Sequence, residues 1–323
     1  LPKRIGNIYT IHEEIGRGKF GVLYKGINER TGEKVAIKLE NVNAVVHLLK
    51  YETTIIHYLS SKKCDAVPKV FWYGLYEDSF DGEKYTSLIE PFYEGETLFD
   101  KIKTGELQCS HCNQIMIQMI QIIQEIHKHG IIYRDIKPHN FIFSSPWNTT
   151  SNIPKIYMID FGLAVFDHSV DELNHPSSIP VSSYKKEHII GTVNYISYFV
   201  HCGYEHSKRD DLISIGYIYL YMISNSLPWF SINTIDTSVE TDVSLQITHI
   251  EHPTNKYIQQ MKQLDKIVNT ICNIAEHSGS VSHEKRHCLF AIKQYIEYCH
   301  QLSDNAKHII SYGGLIDLFR YNK

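Results

Sequence analysis

The chain has 323 residues, 43% hydrophobic and 21% charged, with a formal net charge of −4. These values suit a globular protein large enough to bury one extended core or two smaller ones, and they exclude a disordered polyelectrolyte. They also exclude a strongly basic chain that would grip nucleic acid or an anionic membrane through its overall field.

In chain order, the first ninety residues read as strands with one helix. Tyr9 to Ile15 and Val22 to Asn28 alternate as strands around IGRGKFG. The turn signal Glu29-Arg30-Thr31-Gly32 leads into the strand KVAIKLE. Asn43 to Ser60 has a helical period, with Val46, Leu49, Thr53 and Ile56 on one face. VFWYG and TSLIEPF read as further strands. Beyond Gly95 the pattern turns helical. Cys112 to His129 carries Ile115, Met119, Ile122, Ile123 and Ile126 at helical spacing. Phe141 to Phe143 and Ile156 to Ile159 are short strands around the polar loop SSPWNTTSN. Lys208 to Asn225 is nearly all apolar after Asp211, which predicts a buried helix opened by a Ser207–Asp210 capping box. Arg286 to Gln301 predicts another helix. Segments 165–188 and 231–256 are polar and aperiodic, and are expected to be the least ordered.

Seven scattered cysteines in a chain this large point to a reduced, intracellular setting, cytoplasmic or nuclear. Cys109 and Cys112 form a C-x-x-C without a second ligand pair, so they are expected to lie in a polar turn before a helix rather than to bind zinc. LPKRIGNIYTIHEE has no signal-peptide core, and no apolar run reaches the about 18 residues of a membrane-spanning helix. Asn148-Thr149-Thr150 is accordingly an ordinary loop rather than a glycosylation site.

Four further stretches carry chemistry. Gly16-x-Gly18-x-x-Gly21 is followed by a strand, not a helix, so it is a flap that can lay backbone N–H groups over phosphates. Lys38 sits inside the apolar strand Val35-Ala36-Ile37-Lys38, where a lysine needs partners. Glu52 on the next helix is the natural carboxylate. In IIYRDIKPHN, Asp135 can accept a proton from a hydroxyl, Lys137 can neutralise a phosphoryl group, and Asn140 can offer its carboxamide oxygen to Mg²⁺. Asp160-Phe161-Gly162 supplies a second metal-binding acid. Phosphoryl transfer needs this kit, because its catalysis is mainly positioning and charge stabilisation.

The ordered set GRGKFG, VAIK, Glu52, YRDIKPHN and DFG resembles the eukaryotic-type Ser/Thr protein kinases. The resemblance implies an α+β, bilobal protein-kinase-like fold as a single domain over residues 1–323. It has a small antiparallel β-rich N-lobe with one helix (about 1–91), a hinge (about 90–95) and a larger helical C-lobe (about 96–323). It implies ATP and Mg²⁺, with Mn²⁺ as the alternative metal. Gly16, Gly18 and Gly21 would cover ATP, flanked by Ile15 and Val22. Lys38, paired with Glu52, would hold the phosphates. Ala36 and Ile142 would sandwich adenine, Ile89 would stand behind it, and the backbone of Glu90 and Phe92 would contact it, since Pro91 lacks an N–H. Asp135 would be the base; Asn140 and Asp160 would bind metal. Tyr133 stands where the family usually has His, a packing position. Arg134 could bind an anion.

No Ala-Pro-Glu closes the activation segment. Gly191-Thr192-Val193-Asn194-Tyr195-Ile196-Ser197, followed by YEHSKRDDLISIGYIYLYMISNSLPW, is similar to the casein kinase I family, as are Ile179-Pro180 and the terminal QYIEYCHQL and LIDLF. The resemblance runs from about Tyr9 to Phe319. It implies that Asp211 braces the catalytic loop and that Thr192 contacts Asp135 and Lys137. It implies protein substrates with Ser or Thr acceptors, no direct nucleic-acid or membrane binding, and a monomer. Casein kinase I enzymes favour acidic or primed acceptors through a basic pocket. At two usually basic positions this chain has Val165 and Asn194, with Lys185, Lys186 and Arg134 as partial substitutes. Two alternatives stand beside this reading. One is a pseudokinase-type scaffold, which retention of Lys38, Asp135 and Asp160 opposes. The other is a vaccinia-related-kinase-like enzyme, which Arg134 opposes.

Overall fold

A computed structural model describes residues 4–18, 21–44, 46–78, 82–167, 188–230, 248–249, 253–277, 282–303 and 309–320. The chain divides into two compact units. The first is Leu1–Glu94 with Tyr157–Ala164; the second is Gly95–Ile156 with Val165–Lys323. The sequence-based N-lobe lacks the second stretch of the first unit, which the chain reaches only by leaving that unit and returning.

In the first unit β1 (Arg4–Ile5), β2 (Tyr9–Gly18), β3 (Gly21–Asn28), β4 (Lys34–Asn41), β5 (Trp72–Glu77) and β6 (Lys84–Pro91) form one antiparallel sheet, ordered β1-β2-β3-β4-β6-β5. β4 alternates inward and outward, which buries Val35, Ile37 and Leu39 with Ile89, Tyr9, Ile5 and Tyr76. Each fully buried aliphatic contributes about 1.5–3 kcal/mol of burial. One helix, α1 (Leu48–Ser61), turns Leu49, Glu52, Ile55, Ile56 and Leu59 inward. It starts five residues later than the sequence period suggests. Its N-cap position, His47, makes no side-chain cap bond. Glu40 of β4 caps it instead, accepting from Leu48 N (3.0 Å) and Leu49 N (2.9 Å).

The second unit is mainly helical: α2 (Leu98–Lys103), α3 (Cys109–Lys128), α4 (Tyr198–His201), α5 (Lys208–Ser224), α6 (Pro253–Met261), α7 (Leu264–His277), α8 (His283–Gln301) and α9 (Tyr312–Asp317). Short strands punctuate it. β7 (Ile131–Ile132) pairs with β10 (Val165–Phe166), and β11 (His188–Ile189) pairs with β12 (Thr248–His249). β8 (Phe141–Phe143) follows the loop that carries Asp135; within β9 (Ile156–Met158) the chain passes to the first unit. β10 and β12 lie within the stretches expected to be weakly ordered, β11 starts at the last residue of the first and α6 starts inside the second; residues 168–187, 231–247 and 250–252, among them Ile179-Pro180, Lys185 and Lys186, lie outside the described residues.

α5 is buried along its whole length from Arg209 to Ile223. Ser207 N and Oγ both donate to Asp210 Oδ2, at 2.8 and 2.7 Å, which fixes its start as the capping pattern predicts. Asn225, left-handed at φ 57°, ends it. α3 and α8 pack against it. Tyr295 of α8 donates to Leu212 O at 2.9 Å. α3 corrects one expectation: Cys109 and Cys112 are in its first turn, not before it. Gln108 is the N-cap, and its N–H meets His111 Nδ1 at 3.3 Å. Cys109 shares a side-chain hydrogen bond with Cys288 of α8. Among the described residues no group of three or more His, Cys, Asp or Glu is placed to hold a metal, and no helix is long and apolar enough to cross a membrane.

Candidate active site

In the first unit the period of β4 puts Lys38 on the face opposite Ile37, and α1 brings Glu52 to it as an ion pair. Glu52 also accepts from Phe161 N at 3.1 Å, which ties the returning Tyr157–Ala164 stretch to α1. Tyr157 stacks on Tyr93 with ring centres 4.4 Å apart. Asp160 has a left-handed backbone (φ 64°), and its carboxylate accepts from Gly162 N at 3.3 Å. That conformation is costly for a non-glycine residue and persists only where the surroundings impose it. Burial alone would push the Lys38 ammonium down. Glu52, Glu90 and Asp160 outweigh it and hold Lys38 well above the ordinary lysine range. Burial pushes the Glu52 carboxyl up, with Lys38 opposing the shift.

Glu90 is a site residue whose side chain sequence reasoning missed. Its Oε2 lies 3.4 Å from Lys38 Nζ, and its Oε1 is buried without a hydrogen-bond partner among the described residues. The signal was present: β4 and β6 pair Lys38 with Leu88 and Ala36 with Glu90, so the two-residue period puts Lys38 and Glu90 on one face. Ile89, paired with Ile37, is fully buried. Phe92 N–H, the expected adenine donor, is bonded at 3.3 Å to Lys34 O, a long bond that a ligand would have to replace.

The three glycines of the β2–β3 hairpin differ. Among the described residues a Cβ on Gly18 would meet nothing within 4 Å, and one on Gly16 would touch only Leu23 at ordinary distance. A Cβ on Gly21 would fall 2.2 Å from Leu39 O. Gly21 is therefore required by strand packing, whereas Gly18 is free to be approached by a ligand. Ile15 is exposed; Val22 and Ala36 are half-buried.

In the second unit the loop between β7 and β8 holds Asp135, which is 5% exposed. Its Oδ2 is 2.7 Å from Lys137 Nζ and accepts from Asn140 Nδ2 at 3.2 Å; its Oδ1 accepts from Thr192 Oγ1 at 2.7 Å. Asn140 Nδ2 also reaches Asp135 O at 3.0 Å. With its amide nitrogen committed there, Asn140 turns its carbonyl oxygen the other way, which is the donor a hard cation prefers. Asp211 of α5 accepts from Arg134 N at 2.9 Å and Tyr133 N at 2.8 Å. Arg134 is held at φ 70°. Tyr133 is fully buried, as a packing role needs. Ile142 lies in β8 of this unit, half-buried. Val165 is buried in β10, and Asn194 O accepts from Trp229 Nε1 at 2.9 Å.

The expected residues thus fall into two groups. Gly16, Gly18, Gly21, Lys38, Glu52 and Asp160 belong to the first unit; Asp135, Lys137, Asn140 and Thr192 belong to the second. Within the first unit Lys38 meets Glu52, and within the second Lys137 meets Asp135.

Comparison with known proteins agrees. The protein kinase domain family matches residues 9–311. A casein kinase I homolog, RAG8 of Kluyveromyces lactis, is 31% identical over 259 residues. That match spans 78% of this chain and 44% of the relative, so the chain corresponds to under half of that protein's length. With a family match over nearly its whole length, this chain belongs to the protein kinase family.

Proposed function

We propose that the protein transfers the γ-phosphoryl group of ATP to Ser or Thr hydroxyls of protein substrates, in the manner of casein kinase I. The observation that carries this is the setting of Asp135. A carboxylate held between Lys137, Asn140 and Thr192 is fixed in direction, as a group that orients and deprotonates an incoming hydroxyl must be. Lys137 then lies beside the point where the phosphoryl group would arrive. Lys38, fixed by Glu52, is the cation for the other phosphates. Asn140 and Asp160 are the groups that would hold Mg²⁺ or Mn²⁺. The metal, when bound, supplies neutralisation of phosphate oxygens.

The likeness to the yeast casein kinase I homolog and the Gly191–Ser197 stretch support the finer assignment. Preference for acidic or primed acceptors would rest on Arg134, Lys185 and Lys186, because Val165 is buried and Asn194 is neutral. Seven free cysteines fit a reduced compartment inside the cell, with the protein acting as a monomer.

The test is transfer of labelled phosphate from ATP and Mg²⁺ to an acidic and to a basic protein, with Asp135→Asn beside wild type. Transfer to the acidic acceptor, lost in the variant, supports the reading. Transfer only to the basic acceptor keeps the enzyme and removes the acidic preference. ATP binding without transfer to either replaces the reading with a scaffold.

A further inference from the structure

We propose that Tyr312, on α9, is a positioning residue for the catalytic loop, acting through His127 and Asp211. The inference rests on the kinase reading for its effect on rate, but not for its effect on the loop. Tyr312 Oη lies 2.6 Å from His127 Nδ1. His127 Nε2 lies 2.8 Å from Asp211 Oδ2. Asp211 in turn accepts from Tyr133 N and Arg134 N, the two residues that precede Asp135. A chain of four hydrogen bonds thus runs from the last described helix to the backbone of the catalytic loop, all within the second unit.

The hydroxyl does what a phenyl ring there could not. A neutral imidazole has one N–H and one lone pair, and the bond made by one nitrogen selects the state of the other. Burial pushes His127 down, towards the neutral ring, and pushes the Tyr312 hydroxyl up, so that it keeps its proton. Tyr312 therefore donates to Nδ1, and the imidazole proton sits on Nε2, aimed at Asp211. Asp211 then receives three donors, which fix its carboxylate plane. Without the hydroxyl Asp211 alone selects this tautomer, and the Nδ1 lone pair loses the donor that holds the ring from its other side. The other tautomer turns a lone pair toward a buried carboxylate, which is repulsive.

Arg134 makes the loop sensitive to this. Its backbone sits at φ 70°, a conformation disfavoured for any residue with a Cβ. Asp211 Oδ1 holds its N–H in that conformation. A carboxylate that rocks releases the restraint one residue from Asp135.

Tyr312→Phe deletes one oxygen and keeps the ring that docks α9 on α3, so the variant is expected to fold. Two readouts are taken: steady-state kinetics with ATP and a protein acceptor, and amide hydrogen exchange of the peptide covering 131–136. The expected result is a kcat lowered about 3- to 10-fold, the range of one lost hydrogen bond, with both KM values within about twofold of wild type. Exchange in 131–136 speeds up, while peptides of α5 and α8 keep their rates. Unchanged kcat and unchanged exchange overturn the inference. So does a uniform rise in exchange across the second unit, which would make the hydroxyl a docking contact. If wild type transfers no phosphate at all, the kinase reading fails, and the exchange of 131–136 still decides the relay.

Discussion

Lys262 donates to the main-chain oxygen of Ile196 at 2.7 Å from a position that water does not reach. It also donates to Val193 O at 2.8 Å and lies 3.2 Å from His201 Nε2, with the rings of Tyr217 and Trp229 about it. Two carbonyls accept from the Lys262 amine, although burial pushes Lys262 below the ordinary lysine range. The stretch it pins, 193–196, follows Thr192, which holds Asp135. Lys262→Met would take the donor from the buried Ile196 carbonyl and one donor from Val193 O, and is expected to cost about 1–3 kcal/mol. Urea unfolding reads the loss. Kinetics should show the KM for the protein acceptor rising more than that for ATP. A variant as stable as wild type would refute this account of Lys262.

The β2–β3 hairpin offers a contrast between two glycines. Gly21→Ala drives a methyl into Leu39 O and should lower stability by about 1–3 kcal/mol. Gly18→Ala meets nothing among the described residues and should change stability by less than about 0.5 kcal/mol. Its cost should appear as a raised KM for ATP. Thermal melts and ATP titrations of both variants separate the two roles; equal stability losses would contradict them.

Removing the cap that β4 supplies to α1 should loosen the Lys38–Glu52 pair without touching either residue. Glu40→Ala leaves the N–H groups of Leu48 and Leu49 without their acceptor. The expected cost is about 1–2 kcal/mol, the range for a lost N-cap. Amide exchange in 48–52 should rise most, and ATP turnover should fall. Exchange unchanged in that turn would show that the helix start needs no help from β4.

Acid should unfold the second unit early. Burial pushes His139 and His300 down to about 4, and lowers His127, His201 and His206 as well. The unfolded forms bind a proton near pH 6.5 while the folded forms do not. Stability from these groups is therefore complete above pH 6.5 and falls as pH drops from 6.5 toward 4. Each contributes at most about 1.4 kcal/mol per pH unit in that window, less where water reaches the ring. Melting temperatures at pH 7.5, 6.0 and 5.0 should decline in that order, and His300→Gln should flatten the decline. A variant with the wild-type slope would exclude His300 as a contributor.

Much of this site is legible in the sequence because its parts are local. The loop from Asp135 to Asn140 closes on itself over five residues, and Ser207 and Asp210 cap α5 from three residues apart. α1 began late because its cap comes from another element, which a local period cannot show. α8 begins at His283, ahead of the expected Arg286, because Ser282 Oγ accepts from Lys285 N, a cap signal present in the sequence but weak beside the later apolar period. α6 and α7 carry Ile258, Ile267 and Ile271 as buried positions, yet the polar residues between them blur the pattern. Tyr312 and His127 are 185 residues apart, and neither carries any mark of the other.

Because the polypeptide enters the sheet unit twice, that unit is not a fragment that can be cut out. Expression of residues 1–94 alone would delete the strap Tyr157–Ala164, and with it the Phe161 N–H on Glu52 and the ring on Tyr93. A severed piece would keep the Lys38–Glu52 pair on paper while losing the backbone donor that orients its acid. Swapping this unit into another scaffold therefore calls for two grafts and two junctions, not one.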